Sequence, residues 1–264
     1  MKLYQIFFSP TGGTKKIADI ISQPWDCEKE FIDLMEPGQD ISYPAFTQED
    51  ICIIAVPSFG GRVPEIALRK LRAMKGGNAS AILAAVYGNR AFEDTLIELK
   101  DTLLEAGFSI AGAIGAVAQH SIFPQFGTGR PDKDDIEELI GFARQIKASI
   151  EQGALLDAPP MPGNRPYKEF HVIPMNPRGH KCSHCGICAQ QCPVQAIPME
   201  NPGSVIKELC ISCMHCVFVC PQHTRKLDSL FLSAAGLKMK KVCSGRKENQ
   251  LFQGAEAMDS LNKE

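Results

Sequence analysis

Apolar residues in the first 150 positions fall into short unbroken runs separated by longer amphipathic stretches. The runs LYQIFF (3–8), ICIIAV (51–56), SAILAAVY (80–87) and FSIAGAIGAV (108–117), with a weaker one at CEKEFID (27–33), have the length and composition of strands. Between them the spacing turns helical. Phe92, Leu96, Leu99 and Leu103 share one face of the segment after Asn89, and Ile136, Ile140, Phe142, Ile146 and Ile150 mark a closing helix after PDKDD. Alternation of this kind predicts an α/β fold, a five-stranded parallel sheet covered by helices on both faces.

The first turn carries chemistry. FFSPTGGTKKIADI runs from a strand through Ser9, Thr11, Gly12, Gly13 and Thr14 into a helix. Hydroxyls and glycines let side-chain O–H and backbone N–H groups surround a phosphate, and the helix N-terminus adds partial positive charge. The pattern suits a monophosphate: it has neither the G-x-G-x-x-G of a dinucleotide site nor the G-x4-G-K-[ST] of a Walker loop. An ordinary strand-to-helix connection has the same residues. Two more loops follow predicted strands, at the end where open α/β sheets bind ligands. PSFGGRVPE (57–65) supplies Pro57, Ser58, Phe59, Gly60 and Gly61, and YGNRAFED (87–94) supplies Tyr87, Gly88, Asn89, Arg90 and Phe92. A planar ring fits between these loops. Phe59 and Phe92 stack on it or pack in the core, Arg62 and Arg90 place charge beside it or lie on the surface, and His120 reaches it or serves structure alone.

At 264 residues and 44% hydrophobic, the chain has the material for two domains. Its halves differ in charge: residues 1–160 hold 15 Lys/Arg against 22 Asp/Glu, a formal −7, and residues 161–264 hold 13 against 8, a formal +5. The net −2 would argue against a generic nucleic-acid binder, but the total hides this asymmetry; no nucleic-acid partner is expected. No apolar run approaches the roughly 18 residues of a membrane span, and MKLYQIFF leads into SPTGGT rather than a cleavage site. The expectation is a cytoplasmic protein off the membrane, whose eleven cysteines stay reduced.

Eight of those cysteines form a duplication. Cys182, Cys185, Cys188 and Cys192 recur as Cys210, Cys213, Cys216 and Cys220 at a constant offset of 28, and Pro193 and Pro221 follow each run. C-x2-C-x2-C-x3-C-P is the bacterial ferredoxin spacing, in which the fourth thiolate ligates the other cluster. Three thiolates within seven residues wrap three corners of a cube, and the fourth, followed by proline, faces away. One 4Fe-4S cluster is therefore assigned to Cys182, Cys185, Cys188 and Cys220, and a second to Cys210, Cys213, Cys216 and Cys192. Zinc wants four ligands per site and disulfides an oxidising compartment, so both fit this spacing less well. Two clusters with their thiolates carry about −4 when oxidised, which the surplus of positive charge in the second half offsets.

With these motifs in view, residues 1 to about 152 resemble a flavodoxin, whose S/T-x-T-G-x-T phosphate loop is matched by SPTGGT, and residues 175 to 225 resemble a two-cluster ferredoxin. The whole is similar to flavodoxin and ferredoxin fusion proteins of anaerobic microbes. The resemblance implies strand order 2-1-3-4-5, FMN at the switch point of the sheet and electron transfer between FMN and the clusters, serving a redox protein partner or a small acceptor. An FMN-dependent oxidoreductase and a redox sensor are the alternatives. The expected organisation is an FMN-binding domain at 1–152, a linker with six prolines at 153–179, the cluster domain at 180–226, and a C-terminal helix and tail at 227–264.

Overall fold

A computed structural model describes residues 1–38, 42–153, 159–169, 178–179 and 181–254. The first part of the chain alternates as read: β1 (Leu3–Phe7), α1 (Gly13–Ile21), β2 (Lys29–Asp33), β3 (Ile51–Pro57), α2 (Glu65–Arg72), β4 (Ser80–Tyr87), α3 (Thr95–Glu105), β5 (Ser109–Val117) and α4 (Lys133–Glu151). All five strands run parallel in the order 2-1-3-4-5, the flavodoxin-like doubly wound arrangement. Every residue of β4 is buried, which is why its sequence is unbroken Ala, Val, Ile and Leu between Ser80 and Tyr87. The two-residue period of a strand then divides the core. Leu3, Ile53, Ile82 and Ala84 pack under α1 and α4, while Tyr4, Ile6, Ile54 and Leu83 pack under α2 and α3.

The remaining chain holds β6 (Arg178–Gly179), α5 (Ile187–Gln190), α6 (His215–Phe218), β7 (Arg225–Lys226), α7 (Ser229–Cys243) and β8 (Gln250–Phe252). β6 and β7 form a small antiparallel pair framing the cysteine-rich segment. β8 corrects the expectation of a five-stranded sheet and a separate tail: it pairs antiparallel with β5, Ala113 opposite Phe252 and Gly115 opposite Gln250, as a sixth strand. Phe252 is 3% exposed, and its ring sits 6.2 Å from that of Phe92. Gly115 makes this possible, since a Cβ there would come within 2.7 Å of Phe92. Asn249 anchors the turn before β8, its Oδ1 accepting from Val117 N at 2.9 Å and its Nδ2 donating to Asp135 and Glu138.

Residues 159–169 of the expected linker are strapped to the start of α3. Asp94 accepts from the backbone N–H groups of Asn164 and Lys168, and Arg165 pairs with Asp101. Arg62, read as a candidate neighbour of the ring, instead donates to the buried Glu98 and to Lys168 O, and lies over the Tyr167 ring. No helix among the described residues is long and apolar enough to cross a membrane.

Candidate functional site

Where β1, β3, β4 and β5 end, the chain leaves a cavity of about 510 Å3, within the range of ordinary cofactor sites. One end is the turn into α1. Gly12, at φ 84, takes the left-handed conformation that starts the helix, and the Ser9 hydroxyl accepts from Lys15 N at 2.9 Å. Ser9 and Gly12 thus shape the turn, and Thr11, Gly13 and Thr14 line the cavity. The middle is walled by Pro57, Ser58, Phe59 and Gly60 from the β3 loop and by Tyr87, Gly88 and Arg90 from the β4 loop. The charged side chains in its wall are Arg90, Lys168 and Lys238, with His120 beside them and no carboxylate among the lining residues. Such a wall favours an anion.

Three sequence candidates are committed elsewhere. Phe92 is core, 5.3 Å from the Tyr87 ring centroid and packed on Phe252. At Gly61 a Cβ would collide with Glu93, so this glycine serves the approach of the two loops. Asn89, buried and at φ 62, donates to Cys243 O and Gly245 O at 2.6 and 2.8 Å and accepts from Lys247 N at 3.2 Å. It clamps the tail. Asn89→Ala strands those carbonyls and is expected to cost about 2 kcal/mol, read as a lower urea midpoint with earlier proteolysis near residue 245; a changed affinity for flavin at unchanged stability would contradict this role.

Apart from His120, which sequence reasoning weighed for this cavity, and Cys213, which it read as a cluster ligand, the rest of the wall was missed. Loop residues Ala118 to Phe123, Lys168 from the strapped segment, Ala235, Lys238 and Met239 from α7, and Ile211 to Cys213 all reach the cavity from distant parts of the chain. His120 is the imidazole of this wall. Its Nδ1 accepts from Ile122 N at 3.1 Å, so the neutral ring carries its proton on Nε2. Burial, aided by the Arg90 charge, depresses its pKa to about 4. Below the ordinary value near 6.5 the unfolded chain takes up a proton that the folded ring does not, so stability is complete above 6.5 and declines as pH falls toward 4. Urea midpoints at pH 7 and pH 5 are expected to differ by less in His120→Gln than in the parent protein.

In the cysteine-rich segment the 28-residue duplication extends to the backbone. The left-handed residues His184, Gly186 and Gln195 recur as Ser212, Met214 and His223, and α5 recurs as α6. Five of those six are not glycine, and side chains held in this conformation mark positions the surroundings over-determine. The result is two cavities. Cys182, Cys185, Cys188 and Cys220 stand around one, and Cys192, Cys210, Cys213 and Cys216 around the other. N–H groups point at sulfur in both: His184 N lies 3.4 Å from Cys182 Sγ and Ala196 N 3.3 Å from Cys192 Sγ. Among the described residues no three Cys, His, Asp or Glu side chains converge on the position of a single ion.

Ile211, Ser212 and Cys213 wall both the second thiol cavity and the cavity at the sheet. A hydrogen bond joins the two parts at the same place: His215 Nδ1 donates to Pro10 O, in the phosphate-type turn, at 2.7 Å. The three cavities therefore lie in series. That of Cys192, Cys210, Cys213 and Cys216 is inner, next to the sheet, and that of Cys182, Cys185, Cys188 and Cys220 is outer, with Cys185 exposed.

Residues 181–224 match the family model described as a 4Fe-4S dicluster domain. No curated protein matches the chain. Solved structures similar to it include the Streptococcus pneumonia TIGR4 flavodoxin, 16% identical over 56% of this chain and 99% of that one with a TM-score of 0.40. Also similar are a flavodoxin from the domain Archaea (14%, 56% and 99%, TM-score 0.38) and the two-electron reduced Megasphaera elsdenii flavodoxin (16%, 54% and 98%, TM-score 0.33). The first part of the chain thus has the flavodoxin-like strand order, and residues 181–224 are similar to 4Fe-4S dicluster domains.

Proposed function

We propose that this protein is an electron-transfer iron-sulfur flavoprotein, with FMN in the cavity at the sheet and a 4Fe-4S cluster in each thiol cavity. The observation that carries the reading is the wall formed by Ile211, Ser212 and Cys213, common to the inner thiol cavity and the cavity at the sheet. FMN supplies exchange between one-electron and two-electron chemistry, and 4Fe-4S clusters supply one-electron steps.

The chain's own groups fit these occupants. Thr11, Gly13 and Thr14 at the start of α1 offer a hydroxyl-rich, locally positive seat for a phosphate. Gly60 keeps the β3 loop slim beside a flat ring, Gly88 leaves room for His120, and Phe59, Tyr87 and Phe123 are the aromatic residues of the wall. Arg90 and Lys168, each paired with Glu93, keep positive charge at the wall, and the Nε2 proton of His120 is a hydrogen-bond donor for a carbonyl or ring nitrogen. Cys182, Cys185, Cys188 and Cys220 ligate the outer cluster, and Cys192, Cys210, Cys213 and Cys216 the inner. The partner is a one-electron redox protein meeting the outer cluster near Cys185, in a reducing cytoplasm.

The test is anaerobic purification with iron and flavin counting, then reductive titration. One FMN and about eight iron atoms per chain are expected, with reduced protein reoxidised by a ferredoxin-type or flavodoxin-type carrier. Protein that is colourless, or that carries zinc, would end the proposal. Multiple turnovers on a small acceptor without a carrier would replace it with the FMN-dependent oxidoreductase.

A further inference from the structure

The duplication makes the two thiol cavities nearly equivalent, so a residue that breaks the equivalence points to a difference in their chemistry. With the offset of 28, Cys188 corresponds to Cys216 and Arg225 to Ile197. Both members of the second pair are buried, Arg225 at 3% and Ile197 at 5% exposure. They occupy matching walls: Ile197 lines the inner cavity beside Cys216, and Arg225 lines the outer cavity beside Cys188. The outer site therefore has a guanidinium where the inner has a hydrocarbon. Arg225 Nε donates to Cys188 Sγ at 3.2 Å, and its Nη2 donates to Pro202 O and Ser204 O, which fix the group in place.

We propose that Arg225 splits the potentials of the two clusters, raising that of the outer one above that of the inner. The inference rests on the two-cluster reading above. One electron takes a cluster with its thiolates from about −2 to about −3. A fixed cation hydrogen-bonded to a ligand sulfur stabilises the more negative state, and in dry surroundings it does so strongly. Ile197 offers the inner cluster no such charge; Arg225 also acts on the inner thiol Cys216 through space, so the split is what its hydrogen bond to Cys188 adds at the outer cluster. The first electron then rests on the outer cluster, next to exposed Cys185 and away from the cavity at the sheet. Arg225 is a tuning residue; it ligates nothing.

The experiment is a potentiometric titration of the holoprotein followed by EPR, with Arg225→Met, Arg225→Lys and a parent sample labelled with 15N-arginine. Two resolved one-electron cluster steps are expected in the parent. In Arg225→Met the higher step moves down toward the lower, and Arg225→Lys recovers part of the difference. In the labelled parent, the cluster reduced first couples to an arginine 15N in electron-nuclear double resonance. Iron counting separates the two levels: fewer than two clusters in the parent defeats the functional reading itself. Two clusters with the higher step unmoved in Arg225→Met defeats the role of Arg225 alone. Should Arg225→Met fail to retain its clusters, the labelled parent decides, and no 15N coupling from the first-reduced cluster overturns the proposal.

Discussion

Cys213→Ala is expected to leave FMN bound and the outer cluster intact while removing the inner cluster, so iron per chain falls from about eight atoms to about four. Cys213 is the most demanding of the eight positions, because it lines the inner thiol cavity and the cavity at the sheet at once. Even residues that merely support metal ligands cost about 10- to 100-fold in metal affinity when removed, and loss of a ligand exceeds that. Its neighbour Met214, at φ 65, supplies the left-handed residue that lets the backbone close around the cavity, so a substitution at 213 also relaxes a held turn. The consequence is functional isolation: a one-electron reductant acting at the outer cluster reduces that cluster and no longer bleaches the flavin. Cys182→Ala is the contrast, since it sits at the far cavity and leaves the inner wall complete. Rapid-mixing spectra separating flavin from cluster absorbance measure both. Flavin reduction through the clusters at the parent rate in Cys213→Ala would show that electrons do not cross this wall.

How much of this was legible in the sequence depends on whether each feature is written locally. β1, β3, β4 and β5 were readable because parallel strands buried on both faces appear as unbroken apolar runs, whereas the half-exposed edge strand β2 gave only the weaker signal at 27–33. The eight thiols were readable because the spacing that wraps a cubic cluster lies within each short run. β8 was not, since three residues of QLF carry no period, and their pairing with β5 is set by Asn249 and by the room that Gly115 leaves for Phe92. Asn89 and Phe92 stand in a loop that does border the cavity, yet a tail from the far end of the chain claims the amide and the core claims the ring. Arg225 follows the second cysteine run and reads as one more surface cation; only folding brings it onto Cys188, in the first run. The duplication held the clue, because Arg225 and Ile197 occupy equivalent positions.

Thr11→Asp is expected to abolish tight FMN binding while leaving riboflavin binding little changed. The turn from β1 into α1 supplies the cavity with Thr11, Gly13 and Thr14, and no carboxylate is among the lining residues. An aspartate at 11 places a negative charge in the seat proposed for a phosphate that itself carries about −1.5 to −2. A unit charge and a phosphate of that charge about 5 Å apart at an effective dielectric of about 20 repel by roughly 5 to 7 kcal/mol, which is on the order of 10,000-fold in Kd. Thr11→Val, lacking only the hydroxyl, is expected to cost about 1 kcal/mol, or roughly fivefold. The turn itself persists in both variants, because it is set by the left-handed Gly12 and by the Ser9 hydroxyl on Lys15 N. Riboflavin has the ring and ribityl chain without the phosphate, so comparison of the two ligands by fluorescence quenching separates a damaged seat from a damaged cavity. Equal losses for both would mean that this turn holds no phosphate and that the ring is bound in some other register against the β3 and β4 loops.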